Sequence, residues 1–355
     1  DSFYRLVDTL QRQCPAVAET GGLRSGYGDG GGGPTEKMLE TCDVINLCFG
    51  YVTPEFTIDA TSVYPVLSQV LVAREHGVRV VLSIQGYSSA GTNFSRAAAT
   101  EQGRITLAES MLRVVEKYHL DGIDIDWEYP GFNTGTSVSV DKANYTLLCK
   151  QISETFKKAN EDYLITAAIP GGSNGPYRFD LGNVAKYLDY IHIMTYDLQN
   201  GGSASHHTAL HDSFATLSGC SVSSSVKTYM NNGVPASKII IGLSFYGKRT
   251  RATSLGGRAS GGYSAIVYDK ILIETNKKSY IKRVIGLPGD TIEIVNGYVI
   301  RNGETIEESY VSEQGLSGEM EPVIVEEGKL FVREIKDETE NVQASSKGKV
   351  IDLIL

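Results

Sequence analysis

The sequence predicts an α/β fold, a (β/α)8 barrel of the TIM type, followed by a smaller β-rich segment. Two observations predict the barrel. Short β-branched runs recur along the first part of the chain, and a loop and an amphipathic helical pattern follow each of them. A third observation predicts the β-rich segment, because this alternation stops near residue 269 and strand–turn–strand patterns replace it.

The predicted strands of the barrel follow one another at regular intervals. Helical patterns with apolar residues three and four positions apart lie between them, as at 64–77 and 107–120. In chain order, the predicted strands are 22–28, 44–50, 78–84, 122–129, 163–170, 190–197 and 238–247. An eighth strand is not recognisable, although seven βα units before residue 250 predict a barrel whose functional site lies at the carboxyl ends of the strands.

A change in composition predicts two domains, 1–268 and 269–355. The charged fraction rises from about a sixth in the first part to about a third in the second. A Gly/Ser-rich stretch, TSLGGRASGGYS (253–264), precedes the change. In the second part, Asn-Gly pairs at 296–297 and 302–303 predict hairpin turns.

Composition and charge argue against several classes of partner. The 355 residues carry a formal net charge of -9 and lack a Lys/Arg-rich stripe, so a nucleic-acid partner is not expected. No apolar run approaches the ~20 residues that a membrane span needs. The cysteines lack metal-ligand spacing and are interpreted as free thiols or as one or two disulfides; no metal or cofactor is expected. They are Cys14, Cys42, Cys48, Cys149 and Cys220.

One strand, DGIDIDWEYPG (121–131), concentrates carboxylates in an apolar run. Because side chains alternate along a strand, Asp124, Asp126 and Glu128 point into the lumen, whereas the intervening Ile, Ile and Trp pack against helices. Pro130-Gly131 ends the strand and leaves Glu128 at the rim. Clustered acids in a lumen share protons, so their pKa values split and one acid is held protonated. The pattern favours general acid catalysis over a cation site or a solvated acidic face.

This strand resembles the D-x-x-D-x-D-x-E segment of chitinase-type (family eighteen) glycoside hydrolases. Three further segments agree in the expected order: VVLSIQGYS (80–88), YLDYIHIMTYDL (187–198) and VPASKIIIGLSFYGK (234–248). The resemblance covers about residues 20–268. It implies hydrolysis of β-1,4-linked N-acetylglucosamine polymers, with endo-type action and with chitin or chito-oligosaccharides as partners.

The resemblance also assigns catalytic roles. Glu128 would protonate the glycosidic oxygen, Asp126 would orient the acetamido group, Asp124 would hold a proton that lets Asp126 change partners, and Tyr196 would hydrogen-bond the acetamido carbonyl. Such enzymes have no protein nucleophile. The acetamido oxygen of the substrate attacks the anomeric carbon, and the configuration is retained.

Five further residues are predicted to bind substrate. The resemblance implies that Met194 and Asp197 line the subsite beside Tyr196. Tyr87 can stack on a sugar ring, while Tyr27 and Tyr246 are expected to line the cleft.

The chain also departs from the family pattern. Gln85 replaces a glycine of the third-strand segment, and Trp127, the single tryptophan, faces away from the lumen. In family members a tryptophan on the eighth strand forms the bottom of the catalytic subsite. Neither that strand nor that tryptophan is recognisable in this sequence. Weak activity is therefore expected, and a catalytically impaired, lectin-like chitin-binding barrel is the alternative.

The second part of the chain resembles another family. SYIKRVIGLPGDTIEI (279–294) is similar to the Lys-containing box of bacterial type I signal peptidases, which implies Lys282 as the base of a Ser/Lys dyad. The serine box and the Gly-Asp-Asn-Arg box of that family are missing, so a peptidase activity is not expected. A third hypothesis is that the chain is a chimera of a truncated chitinase barrel and a signal-peptidase fragment.

Two other candidate sites are interpreted as loops. The Gly-rich 26–34 lacks the Lys-Ser/Thr ending of a phosphate loop, and His206, His207 and His211 lack an acidic partner other than Asp212. The acceptor sequons at Asn93 and Asn144 favour a secreted protein. A monomer is expected.

Overall fold

A computed structural model describes residues 25–28, 36–66, 69–87, 89–199, 202–244, 246–267, 282–286, 289–296, 298–306, 320–325, 329–334 and 349–352. These residues fall into two compact units. The first takes the residues up to Gln199 together with Thr208–Asp212 and Thr216–Leu243, and the second takes Asn200–His207, Ser213–Ala215 and the residues from Ser244 onward. The boundary at 268/269 that the composition predicts stays a prediction.

The first unit contains a parallel sheet whose strands follow chain order. The parallel strands are β1 (Ser25–Gly28), β2 (Val44–Val52), β4 (Arg79–Gln85), β5 (Gly122–Asp126), β6 (Leu164–Pro170), β7 (Tyr190–Met194) and β8 (Ile239–Ile241). Strand β3 (Ile58–Asp59) pairs antiparallel with β2. The α/β barrel architecture is thus confirmed. Among the described residues, the sheet has seven parallel strands, and all seven coincide with predicted ones.

Helices connect these strands. They are α1 (Glu36–Thr41), α2 (Gln69–Glu75), α3 (Ser89–Ala98), α4 (Glu101–Lys117), α5 (Val138–Ala159), α6 (Asn174–Arg178), α7 (Leu181–Val184) and α8 (Val222–Asn231), with short 3-10 turns at Thr61–Val66 and Ala236–Lys238. Helix α4 begins at its cap Thr100, whose side chain accepts from Gly103 N, and ends at Lys117, where a positive charge suits the helix dipole. Ser137 caps α5 in the same way, accepting from Val140 N. Within the part of the chain that the structure describes, no helix is long and apolar enough to cross a membrane.

The core of the first unit lies between the sheet and the helices. Strands β4 and β5 are buried on both faces along most of their length, and all seven residues of β6 are buried. Two predicted strands are shorter than expected. Strand β5 ends at Asp126 rather than at residue 129. The predicted strand 238–247 is reduced to Ile239–Ile241, and Tyr246 and Gly247 belong to a different strand.

The second unit is β-rich, as the sequence predicts. Its strands are β9 (Tyr246–Arg251), β10 (Ser260–Val267), β11 (Lys282–Gly286), β12 (Thr291–Val295), β13 (Tyr298–Arg301), β14 (Glu304–Thr305), β15 (Met320–Ile324), β16 (Lys329–Glu334) and β17 (Lys349–Asp352). Antiparallel pairing of β12 with β13 and of β13 with β14 confirms both predicted hairpins. Asn296 and Asn302 stand at positive φ at these turns, a conformation that asparagine tolerates.

Candidate active site

The carboxyl end of β5 lies beside the carboxyl end of β4. Parallel pairing places Ser83 opposite Asp124 and Gln85 opposite Asp126. The ladder continues past the strands, since Gly86 N donates to Asp126 O over 2.7 Å and Glu128 N donates to Gly86 O over 3.2 Å. Glu128 therefore stands just beyond the last paired residue, at the edge of the barrel where the sequence places the site.

The outward face of β5 is apolar and fully covered. Ile123, Ile125 and Trp127 are each 0% exposed and belong to the main core. The Trp127 ring stacks on Phe94 at 5.5 Å between centroids and meets the Tyr145 ring at 5.8 Å, so it contacts α3 and α5. The predicted alternation of the strand is confirmed, and the single tryptophan packs against the helices.

Asp124 lies at the bottom of the acidic column and is surrounded by polar partners. Ser83 Oγ donates to its Oδ2 over 3.0 Å and Thr166 Oγ1 donates to its Oδ1 over 2.5 Å, while His192 Nδ1 lies 3.2 Å from Oδ1. Complete burial opposes ionisation, but the bonds from His192, Thr166 and Ser83 outweigh it. The pKa of Asp124 is therefore lowered.

Asp126 has the opposite environment. It is 5% exposed, and its Oδ1 has no hydrogen-bond partner among the residues that the structure describes. Burial raises its pKa well above the ordinary range, and the neighbouring charges of Glu128 and Asp124 and a hydrogen bond with Glu128 raise it further. The resemblance predicts that Asp124 holds the proton. That assignment stays a prediction. The two pKa shifts favour instead an ionised Asp124 and a protonated Asp126, because three polar partners stabilise the Asp124 carboxylate.

Two tyrosines complete the surroundings of the acids. Burial raises the pKa of Tyr196, which follows β7, and the charges of Asp126 and Glu128 add to the shift. Gly242, just after β8, leaves room for this ring, since a Cβ there would lie 3.0 Å from Tyr196 Cε1. The pKa of Tyr129 is also raised, first by burial and then by the charge of Glu128 and a hydrogen bond with it. Tyr129 is thus a site residue that the sequence reading missed.

The structure describes the remaining predicted substrate-binding residues to different extents. Met194 ends β7 half-buried, and its carbonyl accepts from Gly171 N over 3.0 Å. Asp197 is exposed at a positive φ of 57°, and Tyr87 is 55% exposed just after β4. Tyr27 belongs to β1, but its side chain lies outside the described residues. Tyr246 belongs to the second unit, where its ring lies 5.6 Å from that of His207, so its place in the cleft stays a prediction.

His192, Ser83 and Thr166 are further residues that the sequence reading missed. His192 stands between Ile191 and Ile193 in a buried strand, and it points to the lumen with a period of two. A polar residue at an inward position of an otherwise apolar strand is the pattern that would have identified it. Ser83 and Thr166 occupy such positions in β4 and β6.

Other candidate chemistry lies elsewhere. Among the described residues, no group of three or more His, Cys, Asp or Glu side chains has the geometry of a metal site. No disulfide joins any two of Cys42, Cys48, Cys149 and Cys220, and Cys14 lies outside the described residues. Lys282 begins β11, but its side chain also lies outside them.

A comparison with the models of known protein families assigns the barrel to a family. The model of the family "Glycosyl hydrolases family 18" matches residues 25–316. This chain belongs to that family. The match continues beyond residue 268, into the segment for which a likeness to signal peptidases stays a prediction.

Individual relatives of this family 18 chain are similar over more than half of its length. Chitinase A1 of Niallia circulans is 30% identical over 225 residues, which are 56% of this chain and 32% of that protein. Endochitinase 1 of Metarhizium anisopliae is 32% identical over 213 residues, 57% of this chain and 49% of that protein. The chain therefore spans a third to a half of the length of these relatives.

A solved structure gives the same assignment. A family 18 N-acetylglucosaminidase from Paenibacillus barengoltzii aligns with a TM-score of 0.63 and 27% identity, over 80% of this chain and 86% of that one.

Proposed function

We propose that this chain hydrolyses β-1,4-linked N-acetylglucosamine polymers, chitin and its oligosaccharides. The observation that carries the proposal is the inward column Asp124, Asp126 and Glu128 at the carboxyl end of β5, in a chain of family 18. The names of its relatives, among them an endochitinase, support the choice of chitin.

Glu128 acts as the general acid of this reaction. It follows β5 at the rim, partly exposed, where it can reach a glycosidic oxygen. Burial and the neighbouring charge of Glu128 raise the pKa of Asp126 well above its ordinary range, which favours a proton shared within the Asp126–Glu128 pair. Glu128 delivers a proton to the leaving oxygen, and Asp126 remains to hydrogen-bond the acetamido group of the sugar.

The nucleophile is supplied by the substrate. Residues two apart on one strand project from the same face, so Asp124, Asp126 and Glu128 cannot flank a sugar from opposite sides as a carboxylate pair does. The acetamido oxygen attacks the anomeric carbon, and water then opens the oxazolinium intermediate with retention. Tyr196 hydrogen-bonds the acetamido carbonyl and, with Met194 and Asp197, lines this subsite.

The ionised Asp124 sets the charge at the bottom of the column. Its bonds to Ser83, Thr166 and His192 hold a negative charge below Asp126. That charge disfavours ionisation of Asp126. The three partners of Asp124 therefore help to keep the proton on the Asp126–Glu128 pair, from which the reaction takes it.

The alternative, a lectin-like barrel that binds chitin without cleaving it, is less favoured because Glu128 is present. Endo-type action, weak turnover in a barrel without a recognised eighth strand, secretion and a monomeric state remain parts of the proposal. At one sequon, Asn93 Nδ2 already donates to Val52 O over 2.8 Å, so Asn144 is the better acceptor for a glycan.

We also propose that the signal-peptidase-like segment has no peptidase activity. Lys282 lacks a serine box to activate, so Lys282→Ala should leave sugar hydrolysis unchanged, and the protein should not cleave a preprotein. Cleavage of a preprotein that the Lys282→Ala variant loses would contradict this.

Substitution of Glu128 by glutamine tests the proposed function. Glu128→Gln removes only the transferable proton, so turnover of a chromogenic chitobiose derivative should fall by about 10²-fold or more while oligosaccharide binding persists. Glu154→Gln is the matched control, since Glu154 lies on α5 in an exposed pair with Lys150. A Glu128→Gln rate above about a tenth of the parent rate would show that Glu128 is not the general acid.

A further inference from the structure

The peptide group that joins Pro130 to Gly131 lies two residues past Glu128 and is bonded on both sides. Its carbonyl oxygen accepts from Arg178 Nη1 over 2.9 Å, and its N–H donates to Asp141 Oδ2 over 2.8 Å. A cation meets the oxygen and an anion meets the N–H, so each charge faces the matching end of the peptide dipole. Charge-assisted bonds of this kind are stronger than those between neutral groups.

The Asp141 carboxylate is fully buried and serves the loop after β5. Besides Gly131 N, it accepts from Thr134 Oγ1 over 2.8 Å and from Ser95 Oγ over 2.7 Å. All three donors lie outside its own helix α5, which Ser137 caps instead. A buried carboxylate that accepts three such bonds fixes the positions of its donors.

Arg178 is fixed by its neighbours. Its guanidinium lies 5.7 Å from the centroid of the Phe132 ring and 5.4 Å from that of Tyr177. The Phe132 ring in turn lies 6.4 Å from the ring of Tyr129, which hydrogen-bonds Glu128. Contacts therefore continue from Arg178 to the general acid.

Among the residues that the structure describes, neither charge takes part in an ion pair. Within residues 89–199, which the structure describes without a gap, Asp141 and Arg178 make no salt bridge with any residue. Gly131 also stands at a φ of +69°, and a Cβ there would lie 2.4 Å from Val138 Cα. The loop is therefore seated tightly on the start of α5, and both charges are directed at its backbone.

We propose that Asp141 and Arg178 are positioning residues that hold Glu128 in place through this peptide group, here called the peptide clamp. The inference rests on the proposed function, because it takes Glu128 as the general acid. Neither residue acts on the sugar itself. Loss of either should therefore slow proton transfer more than it weakens substrate binding.

Four variants measure the clamp. Asp141→Asn and Arg178→Met should each lower kcat about 10- to 100-fold, because a small misplacement of a catalytic group is costly. KM should stay within about threefold of the parent value. Arg178→Lys, which keeps a charged donor, should recover part of the loss. The double variant Asp141→Asn/Arg178→Met should be little worse than the poorer single variant, since both act on one peptide group.

Asp189→Asn is the matched control. Asp189 also accepts from a backbone N–H, Ile165 N at 2.8 Å, and from a cation, Lys157 Nζ at 3.0 Å, but it precedes β7 at the opposite end of the strands. This variant should lower the melting temperature and leave the kcat of the folded protein within about twofold. Asp141 and Arg178 variants that also lose only stability, with kcat per folded molecule unchanged, would overturn the clamp.

Amide hydrogen exchange tests the clamp without activity. Exchange across residues 128–137 should accelerate in Asp141→Asn and Arg178→Met but not in Asp189→Asn. Unchanged exchange in both variants would overturn the proposal. If the parent protein does not cleave the chitobiose derivative, the proposed function is contradicted. The hydrogen-exchange result would still show whether Asp141 and Arg178 hold the loop after β5 in place.

Discussion

The two faces of β5 differ in the side chains that they bury and in the contacts that stabilise those side chains. The outward face buries Ile123, Ile125 and Trp127 in the main core, where aromatic rings from α3 and α5 cover the tryptophan. The inward face buries Asp124 and Asp126, which unlike the apolar set need polar partners or a proton. The alternation of side chains along one strand thus places the stabilising residues and the reacting residues on opposite faces. Substitutions on the outward face should mainly lower the free energy of unfolding, and substitutions on the inward face should mainly lower activity.

Trp127→Ala should give the largest change in stability. It removes a 0% exposed indole from the centre of the packed face, and truncations of this kind cost about 3–5 kcal/mol. Urea unfolding followed by circular dichroism measures the loss. Tyr64→Ala, at a ring that is 46% exposed, is the control and should change little. A Trp127→Ala loss below about 1 kcal/mol would remove the contrast between the faces.

Asp124→Asn should be the most destabilising substitution on the inward face. The folded-state pKa of Asp124 is lowered, so its carboxylate contributes stability above the unfolded pKa of about 3.9, and this stability is lost as the pH falls through the lowered value. At pH 7 the variant should lose about 1–3 kcal/mol, because Ser83, Thr166 and His192 lose a charged acceptor. Unfolding free energies at pH 7 and pH 3 should differ less in the variant than in the parent.

Asp126→Asn should have the smallest effect on stability and the opposite sign. The folded-state pKa of Asp126 is raised, so its stabilising contribution is complete below the unfolded pKa and is lost as the pH rises through the raised value. A permanently neutral Asn should therefore match the parent or gain on the order of 1 kcal/mol at pH 7. Turnover should nevertheless be severely impaired. A destabilised Asp126→Asn would mean that Asp126 is ionised in the folded protein.

The sequence predicted the parts of the molecule that depend on local periodicity. Alternation along 122–128 was enough to separate Asp124 and Asp126 from Trp127, and the run of βα units was enough to predict the barrel. The early end of β5 at Asp126 was missed, because pairing with neighbouring strands decides where a strand stops.

The sequence alone did not predict the contacts between segments that are distant in the chain. Ser83, Thr166 and His192 come from three strands and meet at Asp124 only once the register is set. The same holds for the peptide clamp, whose two charged residues lie in the first turn of α5 and at the end of α6. The prediction that Asp124 holds a proton comes from the family resemblance and does not take these three partners into account.

The configuration of the first product tests the central claim, that the acids of one strand face use the substrate's acetamido group as nucleophile. Proton NMR of a chito-oligosaccharide in the first minutes of hydrolysis should show the β-anomer at the new reducing end, and a fully deacetylated polymer should remain uncleaved. Initial release of the α-anomer, or cleavage of the deacetylated polymer, would contradict this account.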